Sequence, residues 1–181
     1  MQISEEIYSY QAFRTYTQDY PDKLLELVHG RIVEKVTGQQ HAIIALTIGT
    51  HLRIWQKTNG IVGYSGVEMS HRNTDDDTNV RIPDVSFSSA TDQPTEEAAP
   101  SLPDFAVEIK SPGNTIKGLR EKAQFYVDNG VQLVWIVYPS KKVVDVYQAD
   151  GTIEIFTEGD TLFGGDVLPK FEMTVTEIFE M

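Results

Sequence analysis

The chain has 181 residues, 40% of them hydrophobic, with a formal net charge of −12 and no cysteine. That length suits one domain, residues 1–181, able to bury roughly 70% of its unfolded surface. The lack of cysteine excludes disulfides, thiolate zinc sites and cysteine nucleophiles, and there is neither an 18-residue apolar run nor a basic, apolar leader, so the expected location is cytoplasmic with no membrane contact.

In chain order, residues 9–19 predict a short helix that Asp19-Tyr20-Pro21-Asp22 breaks. Leu24–Val28 and Arg31–Val36 read as strands around His29-Gly30, a two-residue turn whose glycine accepts positive φ, and Glu26 sits on the first of them. Gln40–Lys57 is the clearest helix, with Ile44, Ala45, Ile48, Leu52 and Trp55 at helical spacing and Asn59-Gly60 as its stop. Ile61–Met69 and Val80–Phe87 are predicted strands separated by a polar loop, Ser70–Asn79, and the proline-rich, acidic stretch Ser88–Pro103 is predicted to be a mobile loop.

In residues 105–110, Phe105, Val107 and Ile109 alternate with Ala106, Glu108 and Lys110, the period of a strand. Ser111-Pro112-Gly113-Asn114 forms a turn, and Asn114 or Thr115 can cap a helix whose apolar stripe is Ile116, Leu119, Ala123, Tyr126 and Val127. Residues 132–138 are nearly all apolar, as a strand covered on both faces would be. Val143–Tyr147 and Thr152–Phe156 flank Ala149-Asp150-Gly151 as an antiparallel hairpin. The order is that of an α/β (α+β) protein, a mixed central sheet flanked by helices with added antiparallel hairpins. The crossover from 105–110 to 132–138 should be parallel and right-handed.

The most informative pairing in this order is Pro83-Asp84 followed one strand later by Glu108-Ile109-Lys110. Glu108 and Lys110 project from one face of their strand, and Val85 and Phe87 point away from Asp84 if that segment is extended. Neighbouring strands would therefore gather Asp84, Glu108 and Lys110 in one cluster. Two carboxylates supply the hard oxygen ligands that suit Mg²⁺ or Mn²⁺, and the Ile109 carbonyl can add a third. Such an ion lowers the pKa of a bound water and draws charge from a phosphate oxygen, while the Lys110 ammonium orients the water or stabilises charge on the attacked phosphorus. The bland alternative is an exposed strand pair contributing about 0–1 kcal/mol.

These residues resemble the PD-(D/E)XK nuclease signature, and the flanking sequence resembles one branch of it, the Uma-two family of restriction-endonuclease-like proteins. The similarity covers almost the whole chain: Leu25 to Glu34, the helix led by His41, the Pro83 to Phe87 and Glu108 to Pro112 strands, Lys122 with Tyr126, Gly130-Val131, Val134 to Val137, Leu168-Pro169 with Phe171, and Ile178-Phe179. Many members of that family read Glu-x-Leu-Ser-Pro where this chain has Glu108-Ile109-Lys110-Ser111-Pro112. This chain is thus closer to the complete nuclease motif. The resemblance implies a restriction-endonuclease-like core and a Mg²⁺- or Mn²⁺-dependent endonuclease cleaving nucleic acid, DNA first. The hairpins and the acidic C-terminal segment, which could pack on a partner subunit, are compatible with a homodimer or higher homo-oligomer. It places Glu26 near the two metal-binding carboxylates, where it could hold a second ion or orient a water, and it places Lys122 and Tyr126, four residues apart on one helix face, over the active site. Lys122 could there touch a phosphate and Tyr126 a leaving group.

Other readings of these side chains stand beside it. Glu26 also reads as a surface strand glutamate, Tyr126 also fits the apolar stripe of its helix, and His41, with no second histidine at ligand spacing, reads as a structural or substrate-contact residue. The acidic charge opposes nucleic-acid binding, which ordinarily needs basic patches. It is concentrated in residues 150–181, whereas 110–122 carries Lys110, Lys117, Arg120 and Lys122 against Glu121. Asp75-Asp76-Asp77 lacks the spacing of a calcium loop and reads as a solvated turn, and no Gly-x-Ser-x-Gly or phosphate-binding glycine loop occurs. The competing functional class is a non-catalytic nucleic-acid- or protein-binding regulator that keeps the nuclease fold.

Overall fold

The computed structural model describes residues 6–89 and 93–180. Helix α1 (Tyr10–Gln18) starts where the Ser9 side chain accepts from the Ala12 amide at 3.3 Å. It packs Phe13 onto a four-stranded antiparallel sheet in the order β2 (Arg31–Glu34), β1 (Leu25–Val28), β5 (Asp76–Arg81), β4 (His71–Asn73). The β1–β2 turn has positive φ at both His29 (49°) and Gly30 (73°), the twist that a two-residue hairpin requires. Glycine suits the second position because of its positive φ and because a Cβ there would lie 2.6 Å from Ile7 Cγ2 and 3.3 Å from the Tyr8 carbonyl oxygen.

The larger sheet has six strands in the order β10 (Ile153–Thr157), β9 (Val143–Gln148), β8 (Leu133–Tyr138), β7 (Phe105–Ile109), β6 (Val85–Ser88), β3 (Tyr64–Val67). Strands β7 and β8 run parallel, joined through α3 (Ile116–Asp128), and every other pair is antiparallel. Alternation along the strands sends Val85, Phe87, Phe105, Val107, Ile109, Trp135 and Val137 to one face. There they meet α2 (Gln39–Thr58) and a C-terminal unit of β11 (Thr161–Phe163), β12 (Glu172–Thr174) and α4 (Val175–Phe179). Ala106, Val134, Ile136 and Tyr147 face α3 and its Leu119, Ala123 and Tyr126. The fold is the expected mixed sheet flanked by helices with added hairpins, and no helix among the described residues is long and apolar enough to cross a membrane.

Three sequence expectations need correction. The strand expected over 80–87 is two strands in different sheets, because Pro83 has no N–H to continue a ladder; the chain leaves β5 at Arg81 and enters β6 at Val85, with Asp84 at the crossing. The loop expected over 70–79 is the β4–β5 hairpin, its polar side chains bonding one another in place of an apolar face: Asp76 accepts from Thr78 and Asn79, and Asn79 accepts from Arg81. The strand expected over 61–69 is only Tyr64–Val67, beginning after Gly63 at φ 136°. Of the two candidate caps for α3 it is Thr115 that accepts, from the Gly118 amide, while Asn114 Oδ1 accepts from Ser111. Residues 90–92 of the loop expected over 88–103 lie outside the described residues. Beyond them Ala99 bonds Ser70 and Arg72, tying that stretch to β4.

Candidate active site

The break at Pro83 creates the site. Strands β6 and β7 pair Val85 with Val107 and Ser86 with Ala106, and that register carried one residue further sets Asp84 opposite Glu108. Asp84 is held rigidly: its N–H donates to the Val107 carbonyl (2.9 Å), and its Oδ2 accepts from the Ile109 N–H (2.5 Å) and lies 2.9 Å from His41 Nε2. Lys35, one residue past β2, pairs with Asp84 Oδ1 and donates to the Ile82 carbonyl at 2.6 Å. Glu26, on β1 of the smaller sheet, accepts from the Ile82 N–H (2.7 Å) and from Lys122 Nζ (2.8 Å). Lys122, on α3, is also 2.8 Å from Glu108 Oε1, which in addition accepts from the Tyr126 hydroxyl at 3.0 Å.

All three carboxylates are buried, and they line one cavity of about 750 Å³ together with Lys35, His41, Arg81, Ile109 and Lys122. Their charges are balanced by Lys35, Lys122 and Arg81. Arg81 is itself buried, donating to Asn79 Oδ1 at 2.7 Å and stacking 4.1 Å over the Phe125 ring. The carboxylates differ in acidity. Burial alone would raise Asp84, but the hydrogen bond from His41 and the charge of Lys35 hold it down, at about 2. Burial likewise opposes ionisation of Glu26, and Lys122 and Lys35 more than offset it, so its pKa is lowered. In Glu108 burial wins: with Asp84 and Glu26 adding to it, its carboxyl lies above the ordinary value despite Lys122. Lys122 is raised, the pull of Glu108 and Glu26 exceeding the cost of burying it.

The residues singled out from sequence therefore fall into two groups. Asp84, Glu108, Ile109, Glu26 and Lys122 line the one cavity, with Tyr126 bonded to Glu108 from the core of α3. Lys110 is not among the residues lining it, and its Nζ donates to the Ser111 carbonyl at 3.2 Å. Sequence reasoning missed Lys35 and Arg81. Lys35 carried no periodic signal, and Arg81 lay in a segment read as a single strand. His41, expected as a structural or substrate-contact residue, donates from Nε2 to the Asp84 carboxylate at 2.9 Å.

A divalent ion would meet a donor set of hard oxygens here, the carboxylates of Asp84 and Glu108 with the Ile109 carbonyl, the chemistry that Mg²⁺ and Mn²⁺ prefer. Asp84 Oδ1 is buried, and its partner is the Lys35 ammonium. Among the described residues no three of His, Cys, Asp and Glu already surround one point. The donors thus fit an ion that takes two carboxylates and keeps several waters.

The protein is thus an α/β fold, a mixed sheet flanked by helices, with acidic and lysine side chains drawn together on a cavity where the chain passes through Pro83 from one sheet to the other. The chain belongs to the Uma2 family, described as "Putative restriction endonuclease", whose model matches residues 10–176. Its fold is similar, with a TM-score of 0.77 and 18% sequence identity, to the crystal structure of a "putative nuclease belonging to DUF820" from Anabaena variabilis ATCC 29413, covering 94% of this chain and 97% of that one. No curated protein matches the chain.

Proposed function

We propose that this chain is a cytoplasmic, Mg²⁺- or Mn²⁺-dependent endonuclease acting on DNA through one nuclease-like domain. The observation that carries the reading is the convergence of Glu26, Asp84, Glu108 and Lys122 from two sheets and a helix on one cavity. Asp84 and Glu108, with the Ile109 carbonyl, would hold the ion, which when bound supplies Lewis acidity to a phosphoryl oxygen and lowers the pKa of a water. The protein's own groups do the rest. Asp84 is kept ionised by His41 and Lys35, so it is a ready anion at neutral pH. Lys122, beside Glu108, can turn an ammonium toward phosphate charge. Tyr126 and Glu26 fix Glu108 and Lys122 in place. Lys110, the amine of the motif, would need to swing from the Ser111 carbonyl to serve the same phosphate. DNA is taken as the substrate from the restriction-endonuclease description of the family.

The test is cleavage of supercoiled plasmid, single-stranded DNA and RNA by purified protein with Mg²⁺, Mn²⁺ or chelator, at several salt concentrations. Ion-dependent nicking that chelator blocks and salt weakens is the expected result. One observation favours a second reading, a regulator that binds nucleic acid or protein without cleaving it: the net charge of −12 gives little surface to hold phosphates. Failure to cleave any of the three under either ion would favour that alternative over the enzyme. A second copy of the chain is proposed as partner because Ile43, Leu46 and Ile54 leave the outer face of α2 apolar and exposed; sedimentation equilibrium giving a monomer mass would refute it.

A further inference from the structure

The two oxygens of Asp84 are treated differently by the protein. Oδ2 is saturated by the Ile109 amide and His41, both fixed by secondary structure. Oδ1 has no such donor, and what it meets is the Lys35 ammonium. Lys35 is placed there by backbone: its N–H donates to the Leu24 carbonyl at 2.9 Å, extending the β1–β2 ladder by one rung, and its side chain is only 11% exposed. The same ammonium donates to the Ile82 carbonyl at 2.6 Å. One carboxylate oxygen and one backbone carbonyl are the oxygen partners a small hard cation takes.

Charge points the same way. With Lys35, Lys122 and Arg81 in place, the three carboxylates of the cavity are already neutralised. A divalent ion entering between Asp84 and Glu108 would bring two further positive charges into a buried region. Lys122 is tied to two carboxylates at once, whereas Lys35 is tied to one and sits on the cavity wall next to exposed Val36 and Thr37. Of the two lysines, Lys35 is the one held by fewer carboxylates and the one beside exposed residues.

We propose that Lys35 is a resident counter-ion that competes with the divalent ion for Asp84 Oδ1, so that it sets the ion concentration at which the site fills and, once displaced, presents its ammonium to the phosphate cavity. The proposal rests on the metal-dependent reading above and gives Lys35 a role beyond keeping Asp84 ionised.

The experiment is calorimetric titration of the whole protein with Mn²⁺ alone, without nucleic acid, comparing wild type, Lys35→Met, Lys35→Gln and Asp84→Asn. Lys35→Met and Lys35→Gln should bind Mn²⁺ about tenfold more tightly or better, since an opposing charge a few ångströms from the ion is gone, and Asp84→Asn should bind it far more weakly than wild type. At saturating Mn²⁺ the two Lys35 variants should nonetheless cleave more slowly than wild type, because the ammonium is missing from the cavity. Should Lys35→Met fail to fold, Lys35→Gln, which keeps a donor for the Ile82 carbonyl, carries the comparison. Equal or weaker Mn²⁺ affinity in the folded Lys35 variants, with wild type binding the ion, overturns the role of Lys35 and leaves the ion site standing. No Mn²⁺ binding in any of the proteins overturns the ion site itself and this inference with it.

Discussion

Two buried carboxylate centres lie on the larger sheet, and only one has the makings of an active site. At β9, Asp145 is buried and accepts from the Tyr138 hydroxyl at 3.0 Å, with Arg120 3.9 Å away and largely exposed. At the β6–β7 end, Asp84 and Glu108 are equally buried but share their region with Glu26 and a cavity that reaches solvent. A lone carboxylate answered by a neighbouring hydroxyl has its charge settled locally, with no open position for a ligand. Three carboxylates drawn from β1, the Pro83 break and β7 place more negative charge in one volume than folding favours, and lysines from two further elements are needed to hold them. Burial and a perturbed partner are common to both centres, so neither property marks function. Convergence from separate elements on a cavity does.

The sharpest way to break that contrast is to remove one carboxylate from each centre and measure plasmid cleavage at saturating Mn²⁺. Asp84→Ala or Glu108→Ala should lower the rate on the order of a thousandfold, since an ion that supplies several kcal/mol of transition-state stabilisation loses its ligand. Asp145→Asn, checked for folding by circular dichroism, should stay within about threefold of wild type. Comparable losses at both centres would mean that cleavage reports general stability.

A finer contrast lies between two lysines, and it bears on how much the sequence could reveal. Lys122→Gln should reduce cleavage on the order of a hundredfold, as expected when a charge aimed at the reacting phosphate is lost, while Lys110→Ala should stay within about tenfold; the reverse ranking, in protein that folds normally, would restore Lys110 to the role the motif suggests. Alternation in 105–110 was enough to place Glu108 on a strand face, and helical spacing was enough to place Lys122 and Tyr126 together. The end of a strand is where alternation stops being informative: Lys110 lies just past Ile109, the last residue of β7, and although its N–H still donates to the Val137 carbonyl at 2.8 Å, its side chain turns to the Ser111 carbonyl. Lys35 escaped for a related reason: the strand expected over 31–36 ends at Glu34, and its partner Asp84 comes from the crossing between the two sheets. The strand expected over 80–87 failed because period-two patterning reads straight through Pro83, although proline's missing N–H is the very feature that separates the sheets. The C-terminal β11, β12 and α4 were not anticipated at all: their strands are three residues long and their helix five, too short for a periodic signal.

The smallest expected effect separates the two centres by pH. Asp84 titrates at about 2 in the folded protein against an ordinary 3.8, so below pH 4 the unfolded chain takes up a proton that the folded one resists. Its contribution is fully present above the unfolded value and is lost as pH falls from about 4 to about 2, worth about 2 kcal/mol by linkage. Glu108 acts in the opposite sense, its raised pKa favouring the folded state at the acid end and costing stability as pH rises through that value, so it subtracts from an acid limb to which Asp84, Glu26 and Asp76 add. Tyr138, beside Asp145, is raised from 10.0 to about 12, by burial first and then by its hydrogen bond to Asp145. Its contribution is intact below pH 10 and is lost as pH climbs toward 12. Urea denaturation across about pH 2–5 and about pH 9–12 should therefore show a shallower acid limb for Asp84→Asn than for wild type, with the alkaline limb unchanged. Tyr138→Phe should flatten the alkaline limb and leave the acid one alone. If Asp84→Asn shifted both limbs together, the two centres would be coupled through the sheet, and the independence argued from their separate partners would be lost.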